Sequence, residues 1–235
     1  MIDGWGVLYL VILGLVLPGV ALRTARMLDS GMPFPPRRAV YAESSFWLTL
    51  ILAASAFVAW RNRIDLGAWP RADPSSWVAG AVVFGVGLLA IPVRLGLADG
   101  GERRRLAQLV PRRPGDWLLW SVVSVAAGVS EEVAFRGVFF TLLDRWLGSP
   151  ILAALLGASA FTLGHAYQGR TGMILIFAFA LMFQALVWYT RGVAVAVAVH
   201  TLYDLAAGLL FGRLARSNDQ PIVAEDPVCV DKHEA

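Results

Sequence analysis

From Trp5 to Phe211 the chain alternates long apolar runs with short segments rich in arginine, proline and glycine. An apolar stretch of about twenty residues is what an α-helix needs to cross a hydrocarbon core, rising about 1.5 Å per residue. The runs are about Trp5–Leu22, Phe46–Trp60, Trp77–Leu95, Trp117–Leu143, Pro150–Ala166, Thr171–Tyr189 and Val193–Phe211. Hydrophobic residues make up 57% of the chain and charged ones 16%. A soluble domain is nearer half and a quarter, at about 45–50% and about 25%. Within lipid each backbone N–H and C=O must be satisfied internally, so spans fold as helices. Val193–Val199 alternates Val and Ala with the period of a strand, yet in lipid it too is expected to be helical. The expected fold is all-α, a polytopic integral membrane helical bundle of about seven transmembrane helices (about six to eight).

Charge orients the spans. No basic residue precedes the first run, and Arg23 and Arg26 follow it, so it reads as a retained span starting outside rather than a cleaved signal. Pro33, Pro35 and Pro36 stop any helix in the linker after it. With the amino terminus outside, cytoplasmic segments collect Arg23, Arg26, Arg37, Arg38, Arg94, Arg103, Arg104, Arg105, Arg112, Arg113, Arg170, Arg213 and Arg216. The opposite side holds only Arg61, Arg63, Arg71, Arg145 and Arg191. This bias predicts a cytoplasmic carboxyl terminus. It also accounts for the net charge of +3 through membrane topology, with the lipid bilayer rather than nucleic acid as partner. Three parts are expected: residues 1–116, N-terminal transmembrane helices (about three) with arginine-rich cytoplasmic loops; residues 117–213, a helical core bearing the chemistry; and residues 214–235, a polar disordered tail. The one cysteine, Cys229, lies in that tail with His233, so no intramolecular disulfide forms.

A charge at the centre of a spanning helix costs about 2.5–3.5 kcal/mol on insertion scales, and survives where it pairs, meets water or works. In the second half these groups are Glu131, Glu132, Arg136, His165, His200 and Asp204, with Asp144 and Arg145 near a helix end. Adjacent Glu131 and Glu132 point about 100° apart on a helix. Arg136, one turn beyond Glu132, is placed to pair with it, which leaves Glu131 free to face a cavity and take a proton as a general base. The bland reading of the same residues is a bolt between helices. Phe161 and His165 share one helical face, as do His200 and Asp204. One buried histidine is more often structural than catalytic; two, each with a partner one turn away, favour a site. His165 and His200 start from opposite ends of their runs. Breaks at Gly128 and Ser130 in the long fourth run, and at Gly164 and Gly169, would bring them to one depth and change the helix count.

In this order, Glu131-Glu132-x-x-x-Arg136, Phe161-x-x-x-His165 and His200-x-x-x-Asp204 resemble the CPBP family of intramembrane proteases. That family includes CAAX prenyl endopeptidases and bacteriocin-processing or self-immunity (Abi-type) proteins. The resemblance covers about Trp117 to Phe211. It implies a glutamic endopeptidase of a bacterial plasma (inner) membrane, hydrolysing a membrane-anchored or lipidated protein substrate. Glu131 with His165 would bind and deprotonate a water, and His200 with residue 204 would stabilise the oxyanion. Glu132 and Arg136 would support them, and Phe161 would shape the pocket wall. Many CAAX-type members carry Asn where this chain has Asp204, and an aspartate donates only when protonated. The preferred reading has Asp204 accept from His200 and orient its ring, leaving His200 as the main oxyanion donor. No cofactor is expected. Two readings stay open beside this one. Two histidines and a glutamate could hold zinc, although the His-Glu-x-x-His signature is missing. Intramembrane acids and histidines also mark proton relays, so a non-catalytic immunity or binding scaffold, or a small transporter, is the non-enzymatic alternative. An inverted repeat of broken helices, which would point to a transporter, is not evident.

Overall fold

The computed structural model describes residues 2–66 and 73–217, with side chains through residue 213. Arg71, the side chain of Arg216 and the tail from residue 218, with Cys229 and His233, lie outside the described residues. The described chain is helical and contains no strand. We number its helices α1 Gly4–Asp29, α2 Arg37–Arg61, α3 Pro74–Leu97, α4 Gly100–Leu109, α5 Pro114–Leu147, α6 Pro150–Gly164, α7 Arg170–Thr190 and α8 Ala194–Ser217. Among the described residues, 6 helices are long and apolar enough to cross a membrane: α1, α2, α3, α5, α7 and α8. With the shorter apolar α6 they form a polytopic helical membrane bundle, as the apolar runs imply.

Helix starts follow local chemistry. Asp3, Asp73 and Asp99 accept N–H bonds from the first turns of α1, α3 and α4, satisfying donors that a helix leaves unpaired. Prolines open α3, α5 and α6, where a missing N–H costs nothing. Helix α5 lies at the centre, against α2 and α8 above all, with α8 packed in turn on α3. Outward-facing Leu15, Trp60, Leu89, Leu118 and Ile174 are highly exposed, which suits a lipid-facing surface.

The two ends of the bundle are tied by polar contacts. At one, Asp3 pairs with Arg61 at 3.3 Å and accepts from Asn62, while Arg145 donates to the Asn62 and Arg63 carbonyls. At the other, Arg37 donates to the Gln108 and Ala107 carbonyls and, with Arg38, pairs with Asp116. Arg105 pairs there with Asp29 and donates to the Tyr167 carbonyl. The arginine-rich stretch at this end, expected as loop, is therefore helix α4, clamped by side chains from its neighbours. It carries no apolar run long enough to span, and so escaped a hydropathy reading.

The break expected at Gly128 and Ser130 does not occur. Helix α5 runs unbroken through residues 114–147, with π-type turns over Glu132–Phe139. Glycine does something else here: it lets α8 approach. A Cβ on Gly128 would collide with the Thr201 hydroxyl and lie 3.0 Å from the Thr201 amide nitrogen and 3.1 Å from the Val197 carbonyl. The depth difference between the histidines is resolved by α6 instead. Its 15 residues span about 22 Å against a hydrocarbon core of about 30 Å, so His165 at its end stays within the bundle. We expect Gly128→Ala to lower stability by about 1–3 kcal/mol by overpacking a helix contact. Gly85→Ala, with open space around the added methyl, should be neutral or stabilising by up to about 1 kcal/mol. Unfolding in detergent distinguishes them, and equal effects would refute the close-approach role.

Candidate active site

Glu131 and Glu132 sit where α5 passes from α-helical to π-type hydrogen bonding. Such wide turns cost regular bonding and are commonest at functional sites. Here they are backed by side chains from α1 and α2. The Ser55 hydroxyl donates to the Ile51 carbonyl at 2.6 Å, so its single proton is committed. The Tyr9 hydroxyl, 2.6 Å away, therefore donates to Ser55, with the Ala134 carbonyl of the π-turns as a longer second acceptor at 3.4 Å. Tyr9, Ser55 and Ala134 are all buried.

Glu132 is 0% exposed. Its Oε1 accepts from His200 Nδ1 at 2.8 Å and lies 3.3 Å from Arg136 Nη1. The Arg136 contact is an ion pair without hydrogen-bond alignment: Arg136 Nη1 and Glu132 Oε2 both lack a hydrogen-bond partner among the described residues. The guanidinium is placed over the Phe161 ring, 4.3 Å from its centroid, and 5.8 Å from that of Phe183. Ring faces are electron-rich, so a desolvated cation gains about 2 kcal/mol from such a contact.

Glu131 faces both histidines. Its Oε1 lies 3.9 Å from His165 Nε2 and its Oε2 lies 3.8 Å from His200 Nε2. His165 Nδ1 is 2.8 Å from the Phe161 carbonyl. A carbonyl only accepts, so Nδ1 carries the hydrogen and a neutral His165 turns a lone pair towards Glu131. Asp204 Oδ2 lies 3.7 Å from His200 Nε2.

The structure thus gathers Glu131, Glu132, Arg136, Phe161, His165, His200 and Asp204 into one cluster drawn from α5, α6 and α8. Two details differ from the sequence reading. Glu132 does not pair with Arg136 alone; the adjacent glutamates approach opposite nitrogens of the same His200 ring. The partner that orients His200 is consequently Glu132, at hydrogen-bond length, whereas Asp204 stands beyond it. Phe161 supplies both an aromatic face for Arg136 and the carbonyl that fixes the His165 ring.

A cavity of about 170 Å³ adjoins the cluster, lined in part by Glu132, Arg136, Phe161, His165, His200 and Asp204; Glu131, expected to face a cavity, lies behind this lining against the two histidines. Sequence reasoning missed several of its other walls. Trp120 lines it and donates to the Asp204 carbonyl at 3.1 Å, and Phe179, Phe183 and Tyr203 add aromatic surface. In sequence these are aromatic residues in apolar helices, like many others. Arg94, assigned to a cytoplasmic segment, also lines the cavity and is 9% exposed. Among the described residues, no group of three or more His, Cys, Asp or Glu is arranged to hold a metal ion.

Residues 113–206 match the family described as Rce1-like, type II CAAX prenyl endopeptidase Rce1-like. The matched segment runs from the start of α5 into α8 and includes every member of the cluster. No curated protein and no solved structure matches the chain.

Removing Glu132 should leave Arg136 buried with its charge uncompensated. We expect Glu132→Ala to cost about 3–5 kcal/mol of stability, and addition of Arg136→Met to restore part of that loss. A double-mutant cycle by thermal unfolding measures the coupling; strictly additive losses would mean that the two charges are not a unit.

Proposed function

We propose that this chain, whose residues 113–206 match the Rce1-like protease family, is an intramembrane glutamic endopeptidase. Its substrate is a membrane-anchored or lipidated protein, cleaved by a water that Glu131 activates. The carrying observation is the convergence of two imidazole Nε2 atoms on one carboxylate, at 3.9 and 3.8 Å.

A carboxylate oxygen and an imidazole lone pair are both acceptors. A water between Glu131 Oε1 and His165 Nε2 gives one hydrogen to each and turns its own lone pair outward. As its oxygen bonds to the scissile carbonyl carbon, Glu131 takes one of its protons. The carbonyl π electrons move onto oxygen. That oxyanion is received by His200 Nε2, which donates there only as an imidazolium because Nδ1–H already bonds Glu132. Asp204 contributes a bond to the oxyanion in its protonated form. When the tetrahedral intermediate collapses, the C–N bond breaks and the proton held by Glu131 passes to the leaving amine. The products are a carboxylic acid, which keeps the second water proton, and an amine, with Glu131 ionised again; transfer of that proton between them gives carboxylate and ammonium. Glu132 and Arg136 hold His200 and the pocket wall in place, and Phe161 fixes His165.

This mechanism uses no metal; Glu131 with the Nε2 atoms of His165 and His200 is also the donor set that a zinc ion would use. The arginine-rich end carrying α4 faces the cytoplasm of a bacterial plasma membrane in this reading, with the carboxyl terminus on that side.

Glu131→Gln should lower the cleavage rate by about 10²–10⁴-fold, the usual worth of general-base help. The membrane proteome of cells expressing Glu131→Gln is compared with that of wild-type cells. One or a few uncleaved precursors should accumulate in the variant, and an unchanged proteome argues against proteolysis. Activity of the purified protein should survive exhaustive chelation; its loss, with recovery on adding zinc, would replace this mechanism with a metal-dependent one.

A further inference from the structure

Charge is unevenly compensated around the place where α6 ends. Its 15 residues leave this helix about 8 Å short of a typical hydrocarbon core. Beyond it, the turn Ala166–Gln168 packs against the end of α1, against α4 and against the start of α7. Three exposed arginines stand on these neighbours: Arg23 and Arg26 near the end of α1, and Arg170 at the first position of α7. None of the three is in an ion pair among the described residues. The adjoining carboxylates are turned to other partners. Asp29, one turn after Arg26, pairs with Arg105, and Glu102 accepts from the amide of Thr171, next to Arg170, at 3.0 Å. The acids here are spent on holding helices together, and the cations are left facing outward.

The rows that these arginines terminate give their depth. On α1, Val16 and Val20 are exposed, Arg23 follows on the same face one turn after Val20, and Arg26 comes one turn later. On α7, Arg170 stands one turn before Ile174, which is 71% exposed. A long cationic side chain at the end of an apolar row keeps its stem among acyl chains and carries its charge out to the headgroups. There the guanidinium fork matches the oxygens of a phosphodiester. A zwitterionic headgroup brings an ammonium that competes for the same phosphate, whereas an anionic headgroup leaves its charge to the protein. We propose that the ends of α1 and α7 beside the short helix α6 form a docking site for the phosphate of an anionic phospholipid, bound by Arg23, Arg26 and Arg170. The site does not depend on the hydrolytic reading. An occupied site ties α1 to α7 across the turn that follows His165.

The test uses the full-length protein in a neutral detergent, with phosphatidylglycerol and phosphatidylcholine of the same acyl chains as probes and native mass spectrometry to count the lipids held. Each arginine beside an anionic headgroup is worth about fivefold in affinity, so wild-type protein should hold one phosphatidylglycerol at least about tenfold more tightly than phosphatidylcholine. Arg23→Gln and Arg170→Gln should each lower that preference severalfold, and the triple change with Arg26→Gln should bring the ratio close to one. Replacing the same three by lysine, which keeps the charge without the fork, should retain part of it. Arg104→Gln removes an exposed cation of α4 outside the site and should leave the ratio unchanged. The substituted side chains are exposed, so thermal unfolding in phosphatidylcholine alone should match wild type. Each ratio is internal to one protein, so partial loss of fold does not distort it. Equal affinity of wild type for the two lipids overturns the site. So does an equal loss of preference in Arg104→Gln, which would mean attraction by the surface charge as a whole. Displacement of the bound lipid by millimolar inorganic phosphate also overturns it, since the site would then be one for the free anion.

Discussion

The bond from His200 Nδ1 to Glu132 Oε1, at 2.8 Å, joins α8 to α5, and its acceptor is fully buried. An isolated carboxylate would not persist there. Glu132 is tolerated because the Arg136 charge lies on the same helix face and the imidazole approaches from α8. Arg136 is in turn spread over two aromatic faces rather than solvated by hydrogen bonds. Each of these groups would be expensive alone, and the set is stable only when assembled. This gives the site an all-or-none character. It forms with the helix packing, and conversely it fixes how α8 is rotated against α5.

That arrangement extends beyond the segment matching the protease family. Helices α1 and α2 lie outside residues 113–206, yet Tyr9 and Ser55 back the π-turns from which the two glutamates project. Behind the opposite face of α5, Gly128 allows α8 to come close enough for His200 to reach both glutamates. At the third side α6 ends early, and the carbonyl of Phe161 turns His165 towards Glu131. The candidate cluster is therefore held from three directions by backbone geometry: a π-turn, a missing side chain and a short helix.

These devices explain what the sequence disclosed and what it concealed. Apolar run length is a strong signal in lipid, so the spanning helices and the short list of intramembrane ionisable residues were readable directly. The spacing of Glu132 and Arg136 predicted their contact for the correct reason, side-chain proximity one turn apart. A π-turn needs no special residue, so nothing marked Glu132–Phe139 as other than α-helix, and the simple angle of about 100° between neighbouring glutamates did not anticipate that both would flank His200. Gly128 was visible as a glycine, but close approach and helix breaking look alike without a partner helix. Helix α4 was hidden because its polar composition, Gly100 to Leu109, resembles a loop; the aspartate cap at Asp99 ahead of Glu102 was the available clue. Arg94 was counted among the charges that orient the protein, because burial at a helix end depends on tertiary packing.

The Nδ1 contacts of the two histidines lead to a final physical consequence. In each ring Nδ1 is fixed by an acceptor, a main-chain carbonyl for His165 and a carboxylate for His200, which leaves both Nε2 atoms facing Glu131. Their acceptors differ in charge. The neutral carbonyl beside His165 permits a neutral ring whose lone pair faces Glu131, as a hydrogen-bonded water requires. The carboxylates around His200 suit a ring carrying a second proton, as an oxyanion donor requires. In the proposed mechanism, two chemically identical side chains are thus suited to opposite tasks by what their far nitrogens touch. Because those contacts are made without substrate, the proposed mechanism asks neither ring to reorganise as charge develops, which is the condition under which electrostatic stabilisation of a transition state is largest.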